Sequence, residues 1–320
     1  MNKQTPFTTI IDSFVAFKRA AGHKYNSESV VLRRLGLFFE EQGVQNVILD
    51  KNTIDVWCRQ KPHESRSTYS SRVSLIRQLG FYLADRGYQV IIPETVRKAK
   101  NNLFVPYIFS HNEMNRIFHV IDNLPIDKNS NSNIVYPVLF RVLYGCGLRI
   151  GEALALKIHD VDVVNGILSI KHAKYDKKRL VPMSESLTRV CQKYFDNCLI
   201  GIPQDEFFFM KKHGGGRSKK IINTRFRRTL WECGIPYLGK GKGPRLHDIR
   251  HTFCCHSIKQ MSDNNIDLYC ALPVLSVYIG HSTIKATERY IRLTRGIYPE
   301  IEKQMELFSG SIYPEVLRNE

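Results

Sequence analysis

No apolar run in this chain approaches the ~18–20 residues that cross a bilayer as a helix, so no membrane-spanning helix is expected. The N-terminal stretch MNKQTPFTTIIDSF has no long apolar segment followed by small residues. A secretory signal is therefore not expected, and a cytoplasmic protein is. Eight cysteines stand at 58, 146, 191, 198, 233, 254, 255 and 270, yet none forms a CxxC pair. In a chain of 320 residues without a signal peptide, buried reduced thiols are the default. No internal repeat is visible.

Acidic residues are also scarce. Thirty Asp and Glu face 47 Lys and Arg, a net charge of +17, with a pI near 9.5. Such an excess favours a polyanionic partner, nucleic acid first. Residues 1–106 carry 16 basic against 9 acidic side chains and the remainder 31 against 21. The excess is thus no detachable tail, and both halves are suited to the same polyanion. A hydrophobic share of 43% over this length fits two domains better than one.

The first hundred residues read as short helices. Ile10, Ile11, Phe14 and Phe17 share one helical face. Ser27 is placed to cap a second helix carrying Val31, Leu35 and Phe38, with Gly43 as its stop. A third pattern holds Ile54 and Trp57, and a fourth runs from about Ser67 through Val73, Ile76, Leu79 and Leu83 to Gly87. The stretch PETVRKAKNNLFVPY, with two prolines and no periodicity, reads as a linker. Ser110 and Glu113 then have capping-box spacing ahead of Ile117 and Val120. The expected division is a helical domain over 1–100, a linker over 101–108, and a second domain over 109–320 with a tail from about 297.

That second domain is mixed. Residues 136–156 look helical with a glycine interruption. Residues 161–182 look like strands, with Asn165-Gly166 as a hairpin turn between VDVV and ILSI and RLVPM as a third strand. From about Ser184 the pattern is helical again, broken by the basic loop KKHGGGRSKK. The expected fold class is mainly α with a small antiparallel β-sheet.

Four stretches stand out. GCGLRIGEALAL sets Arg149 and Glu152 three apart, and AKYDKKRLVPM puts Lys174 at a strand turn. RLHDIRHTF sets His247 and Arg250 three apart, and YIGHSTIKATERYIRL places Tyr290 nine residues after His281. Singly, each has a bland reading. An RxxE on a helix is usually a surface ion pair, and a lone His or Tyr is more often structural than catalytic. Those readings fail for six matches in order on a basic two-domain chain.

Together these stretches resemble the tyrosine recombinase (phage integrase) family, whose active site runs Arg, Lys, His-x-x-Arg, His or Trp, Tyr in that order. Arg149, Lys174, His247, Arg250, His281 and Tyr290 match it. The motif resemblance covers about residues 108–295 and reaches the N-terminal part only through architecture. It implies a helical core-binding domain, a mixed α+β catalytic domain, and cleavage and rejoining of DNA through a 3′-phosphotyrosyl intermediate. It further implies double-stranded DNA sites as partners, a homo-tetramer on two duplexes, accessory or sibling recombinases, and a nucleoid-associated protein when acting. No cofactor and no metal are expected. The interval of 31 residues from Arg250 to His281, and the segment KQMSDNNIDLYCALPVLSVYIGH, lean toward integrases and transposases of mobile elements. Cys146 stands where threonine is common in the family.

The chemistry asks for these residue types on its own terms. A tyrosine phenolate is a nucleophile that conserves the bond energy as a phosphotyrosyl ester, so a DNA hydroxyl can reverse the step without ATP. Arginine offers permanent charge and a planar fork for two non-bridging oxygens, so Arg149 and Arg250 are placed as an electrostatic clamp. Lys174 suits protonation of the leaving 5′ oxygen. His247, expected to titrate near neutrality, suits proton exchange with Tyr290 or support of the phosphate, and His281 suits a hydrogen bond to the phosphate. Glu152 is expected to stand behind them and fix local structure.

Other readings are weaker. GIPYLGKG nearly spells a phosphate-binding loop, but Gly241 stands where Ser or Thr must hold magnesium. His247, His251, Cys254 and Cys255 imitate a zinc face without a second ligand cluster. Tyr298 is a rival nucleophile at the wrong distance from His281. A topoisomerase-like nickase, a chromosome-resolution recombinase and a non-catalytic DNA-binding relative are the alternatives in function. The acidic, amphipathic tail from about 297 is expected to contact a neighbouring protomer or its own domain.

Overall fold

The computed structural model describes residues 7–42, 49–97, 105–171, 178–237, 243–281, 283, 287, 290 and 293. Lys174, Gly43, Tyr298 and the tail from 297 lie outside these residues. The chain forms two compact units, Met1–Phe104 and Val105–Glu320.

The first unit holds α1 (Phe7–Ala20), α2 (Asn26–Glu41), α3 (Lys51–Cys58) and α4 (Arg66–Ala84). Their apolar stripes meet in one core that includes Ile11, Phe14, Leu32, Leu35, Phe39, Ile54, Ile76, Leu79 and Leu83. Two details differ from the sequence reading. The buried stripe of α2 is Leu32–Leu35–Phe39, with Val31 and Phe38 at its margin. Its start is set by Tyr25 in the left-handed region, φ 48°, rather than by a Ser27 cap. Phe17 is half-exposed and packs beside Tyr82 and the Arg86 guanidinium. The bend between α3 and α4 is tied by a buried pair: Arg72 donates to both Glu64 carboxylate oxygens at 2.9 and 2.7 Å, to the Arg59 carbonyl at 3.1 Å, and to the Trp57 carbonyl. Removing one partner from such a pair costs several kcal/mol because it leaves a buried charge alone.

The second unit opens with α5 (His111–Asp122), started by the capping box foreseen at Ser110 and Glu113; such caps contribute about 1 kcal/mol. Then come α6 (Ser132–Gly145), the short α7 (Ile150–Ala153) and a three-stranded antiparallel sheet. Its strands are β1 (Val161–Asp162), β2 (Ile167–Lys171) and β3 (Lys178–Pro182). Asp162 accepts from the backbone of Val164 and Asn165, and this closes the turn through Gly166. Pairing of Leu168 with Val181 turns both toward the core. Helices α8 (Glu185–Cys198), α9 (Lys219–Glu232), α10 (Asp248–Asp263) and α11 (Leu268–Ile279) follow. The fold is mainly α with a small antiparallel sheet. A core around Phe109, Leu139, Phe140, Ile170, Val181 and Phe226 carries α5 to α9. A smaller cluster of Cys254, Cys255, Ile258, Leu272, Leu275 and Ile279 packs α10 on α11 and includes Tyr290.

Candidate active site

Three chain ends meet at one place: the end of α6, the start of α10 and the end of α11. After α6 the chain passes Cys146 to Gly147, at φ +58°. A Cβ there would fall 2.3 Å from Cδ1 of Phe253, so only glycine allows this approach. The turn sets Arg149 at the N-cap of α7, where its backbone N–H donates to Glu152 at 2.9 Å. At the start of α10, buried Asp248 accepts from the Arg245 backbone at 2.7 Å. This fixes the first turn, which carries His247 at the N-cap and Arg250 and His251 behind it. Helix α11 ends on Gly280 at φ +68°.

The last carbonyls of a helix lack intrahelical partners and carry partial negative charge, which attracts cations. Here three successive carbonyls take three arginines. Arg179 Nε donates to Tyr278 O at 3.1 Å, Arg250 Nη2 to Ile279 O at 2.6 Å, and Arg149 Nη2 to Gly280 O at 3.2 Å. Arg250 also donates to Gly147 O at 2.8 Å.

Glu152 neutralises the group from below. It accepts from Arg149 Nη1 at 2.8 Å and from both terminal nitrogens of Arg179 at 3.1 and 2.9 Å. Arg250 Nη1 lies 3.8 Å from it. Burial acts to raise the Glu152 carboxyl, but the hydrogen bonds from Arg179 and Arg149 outweigh it and hold the group down to about 2. Arg250 is 1% exposed, while the Arg149 side chain is 40% exposed. Burial first, then Arg149, lower the Arg250 guanidinium.

Tyr290 sits in helical backbone beside this group and is 3% exposed. Its Oη is 2.9 Å from Nδ1 of His251. The His281 ring lies parallel to the tyrosine ring, centroids 5.8 Å apart, and its Nδ1 bonds Thr287 Oγ1 at 3.0 Å. Burial, with the Cys254 thiol beside it, pushes the Tyr290 phenol up. His247 meets His251 edge to face at 4.8 Å.

The expectation that His247 titrates near neutrality is corrected. Although His247 as a whole is exposed, desolvation of its ring, then Arg250, Arg149, Arg245 and Lys219, push the imidazole down to about 4. Burial and the same arginine pair bring His281 to about 4 as well.

Five of the six residues of the sequence pattern are therefore gathered in one place, and Glu152 stands behind the arginines. Lys174 lies outside the described residues. Its neighbour Lys171 is engaged at the base of the hairpin, with Nζ 3.3 Å from Asp160 and 3.2 Å from His159. Two residues were not read from the sequence as members of this site, His251 having been weighed only as part of a zinc face. Arg179 had a signal: strand alternation puts it on the face of buried Val181. His251 had only its place one turn after His247. Among the described residues, no group of three or more His, Cys, Asp or Glu side chains is arranged to hold a metal ion.

The phage integrase family pattern matches residues 108–296, more than half of the chain. The chain belongs to the phage integrase family, the tyrosine recombinases. A putative integrase/recombinase, y4rB, of Sinorhizobium fredii (strain NBRC 101917 / NGR234) is 24% identical over 313 residues, covering 94% of this chain and 97% of that one. Tyrosine recombinase XerA of Pyrococcus horikoshii is 24% identical over 89% of each chain. Among solved structures, the Tn1549 transposon integrase with circular intermediate DNA matches at TM-score 0.62 and 17% identity, over 88% of this chain and 94% of that one. The XerH recombinase bound to its difH substrate matches at TM-score 0.60 and 18% identity, over 86% and 79%. These likenesses show that the tyrosine recombinase fold extends across most of the chain.

Proposed function

We propose that this recombinase cleaves DNA by attack of Tyr290 Oη on a backbone phosphate, leaving a 3′-phosphotyrosyl link and a free 5′ hydroxyl. The observation that carries the reading is the convergence of Arg149, Arg250, His247 and His281 around Tyr290, with the arginines held by Glu152 and by the carbonyl end of α11. A pentacoordinate phosphorus gathers negative charge on its non-bridging oxygens. Donors fixed before the reaction stabilise that charge without reorganising, and losing one such donor costs about 2.7–4 kcal/mol. His247 and His281, neutral in the free site, donate N–H bonds to the phosphodiester or gain protons as further negative charge develops on its non-bridging oxygens. Lys174 protonates the leaving 5′ oxygen. The ester conserves the bond energy, so reversal by another 5′ hydroxyl needs neither ATP nor metal.

Each tyrosine cuts one strand, so exchange between two duplexes uses a homo-tetramer on two sites. The helical unit 1–100 serves as the core-binding domain, and the tail from about 297 joins protomers. The basic balance of both halves supports DNA contact along the chain. The host role we infer is integration or transposition of a mobile element, supported by the near full-length likeness to a putative integrase/recombinase. A second reading, resolution of chromosome dimers with sibling recombinases, is favoured by the XerA likeness over 89% of the chain. Flanking inverted repeats at the coding locus separate the two.

The test captures DNA that stays bound to denatured protein from a library of nicked duplexes. Wild-type protein should retain DNA and reveal its site by sequencing the captured pool. Tyr290→Phe should bind the same duplexes and retain none after denaturation. Equal retention by Tyr290→Phe contradicts the reading.

A further inference from the structure

Attack by Tyr290 requires the phenol to lose a proton that burial holds in place. The inference here rests on the reading that Tyr290 is the nucleophile, and it concerns where that proton goes. The family pattern leaves His247 as the expected partner. The geometry points to another residue.

Tyr290 Oη lies 2.9 Å from Nδ1 of His251, within reach of direct proton transfer. His247 is one helical turn away and meets His251 edge to face, with ring centroids 4.8 Å apart. Its charged neighbours are Arg250, Arg149, Arg245 and Lys219, which place it on the phosphate side of the site. The other groups near the phenol are poorly suited to take the proton. His281 presents its ring face to the Tyr290 ring, interplanar angle 12°, and its Nδ1 is engaged with Thr287. The Cys254 thiol is pushed up by burial to about 12. Both Glu152 oxygens accept from arginines.

We propose that His251 is a catalytic residue of strand cleavage, its Nδ1 taking the Tyr290 proton as Oη bonds to phosphorus. The step uses the neutral tautomer of His251 that carries its proton on Nε2. The Oη–P bond forms, the P–O5′ bond breaks, and its electron pair leaves on the 5′ oxygen, which Lys174 protonates. The imidazolium of His251 then faces the phosphotyrosine. On rejoining, the 5′ hydroxyl attacks phosphorus and gives its proton back to Lys174, the P–O5′ bond forms, the Oη–P bond breaks and His251 returns its proton to Tyr290. His247 is thereby released to bind the phosphate alone. Division of labour between two histidines one turn apart on α10 follows from the N-terminal turn of that helix, which aims His247 at the arginines and His251 at the tyrosine.

The test measures single-turnover adduct formation on the nicked duplex sequence captured by wild-type protein. His251→Ala should bind that duplex as wild type does and form adduct about 10²–10⁴-fold more slowly, the usual contribution of a general base. His251→Asn takes its place if the alanine variant fails to bind. Placing 3,5-difluorotyrosine at position 290, whose phenol ionises more readily, should recover most of the loss in the His251 variant. It should recover little in His247→Ala. A substrate with sulfur at the leaving 5′ position should not rescue the His251 variant, because the defect lies at the nucleophile. A His251 variant cleaving near the wild-type rate, or one that the fluorinated tyrosine fails to rescue, overturns the inference. Either result, with Tyr290→Phe still forming no adduct, leaves the nucleophile assignment standing. An adduct that survives in Tyr290→Phe removes both.

Discussion

Glu152 and Arg179 meet fork to fork: both terminal guanidinium nitrogens donate to both carboxylate oxygens, at 3.1 and 2.9 Å. The two side chains are 15% and 9% exposed. Neither residue needs to touch DNA for the site to depend on the pair. Glu152 also holds Arg149, and Arg179 also holds the Tyr278 carbonyl, so the pair links β3, α7 and the end of α11.

Arg179→Ala should destabilise the second unit by about 3 kcal/mol, since breaking a buried pair leaves an uncompensated charge. Urea unfolding followed by tryptophan fluorescence and circular dichroism checks this. Arg179→Met should cost less than Arg179→Ala in packing but lower cleavage similarly, because Arg149 loses part of its support. Unchanged stability and cleavage in Arg179→Ala would show that the pair is not needed to hold the site.

Gly280→Ala should lower cleavage strongly while leaving duplex binding near wild type. Its φ of +68° is unfavourable for a residue with a Cβ by about 1–2 kcal/mol. A Cβ there also falls 2.7 Å from Arg179 Nη1. Arg179 must move, and its bonds to Glu152 and to the Tyr278 carbonyl shift with it. Gly22→Ala, where φ is +82° and nothing lies within 4 Å of the added Cβ, serves as the control for backbone strain alone. Equal cleavage in both variants would contradict the proposed coupling.

Arg250→Lys keeps the charge but not the fork. A single ammonium cannot span Gly147 O and Ile279 O as the guanidinium does at 2.8 and 2.6 Å. Cleavage should fall by about 10²–10³-fold, the loss seen when one fixed donor is removed from a transition-state site. Near wild-type cleavage by this variant would reduce the arginine to a mere positive charge.

Three desolvated histidines, of which His256 is buried, His281 half-buried and His247 exposed over the whole residue, make stability depend on pH in a fixed direction. Burial first, followed by the arginines at His247 and His281 and by His111 at His256, lowers each to about 4 in the folded chain, against about 6.5 when unfolded. As pH falls through 6.5 the unfolded chain takes up protons that the folded chain refuses. Stability is therefore fully present above 6.5 and is lost progressively toward pH 4. Thermal unfolding at pH 7.5, 6.0 and 5.0 should show a falling midpoint. A combined His247→Asn, His281→Asn variant should show a shallower fall. A midpoint that holds or rises on acidification would contradict the lowered histidines.

Much of the candidate site was legible because the stretches follow the chain order of the tyrosine recombinases they resemble, while phosphoryl chemistry accounts for the residue types. Arg149, His247, Arg250, His281 and Tyr290 are short-range motifs, and the turns that present them carry glycines at 147 and 280. The helical unit was legible through Ile76, Leu79 and Leu83, whose spacing alone marks a buried face. What escaped depends on distant contacts. The buried stripe of α2 runs through Leu32 and Phe39 beside Leu35 rather than Val31 and Phe38, and the helix follows Tyr25 in a left-handed conformation that no residue pattern announces. Arg179 reads as one more basic residue of a hairpin until Glu152, 27 positions earlier, is brought beneath it. His251 becomes informative only when Tyr290, 39 positions later, comes within a hydrogen bond. His247 was picked out by its motif, but its titration is set by desolvation and then by three arginines and a lysine from several segments.

The most direct test of the whole account is the chemical identity of the protein–DNA link. Adduct formed by the full chain would be trimmed with nucleases and digested with protease, then sequenced by tandem mass spectrometry. The account predicts a nucleotide joined through its 3′ phosphate to the Tyr290 phenolic oxygen, with a free 5′ hydroxyl on the released strand. A nucleotide on Tyr298 or any other residue, or a link through a 5′ phosphate, would contradict it.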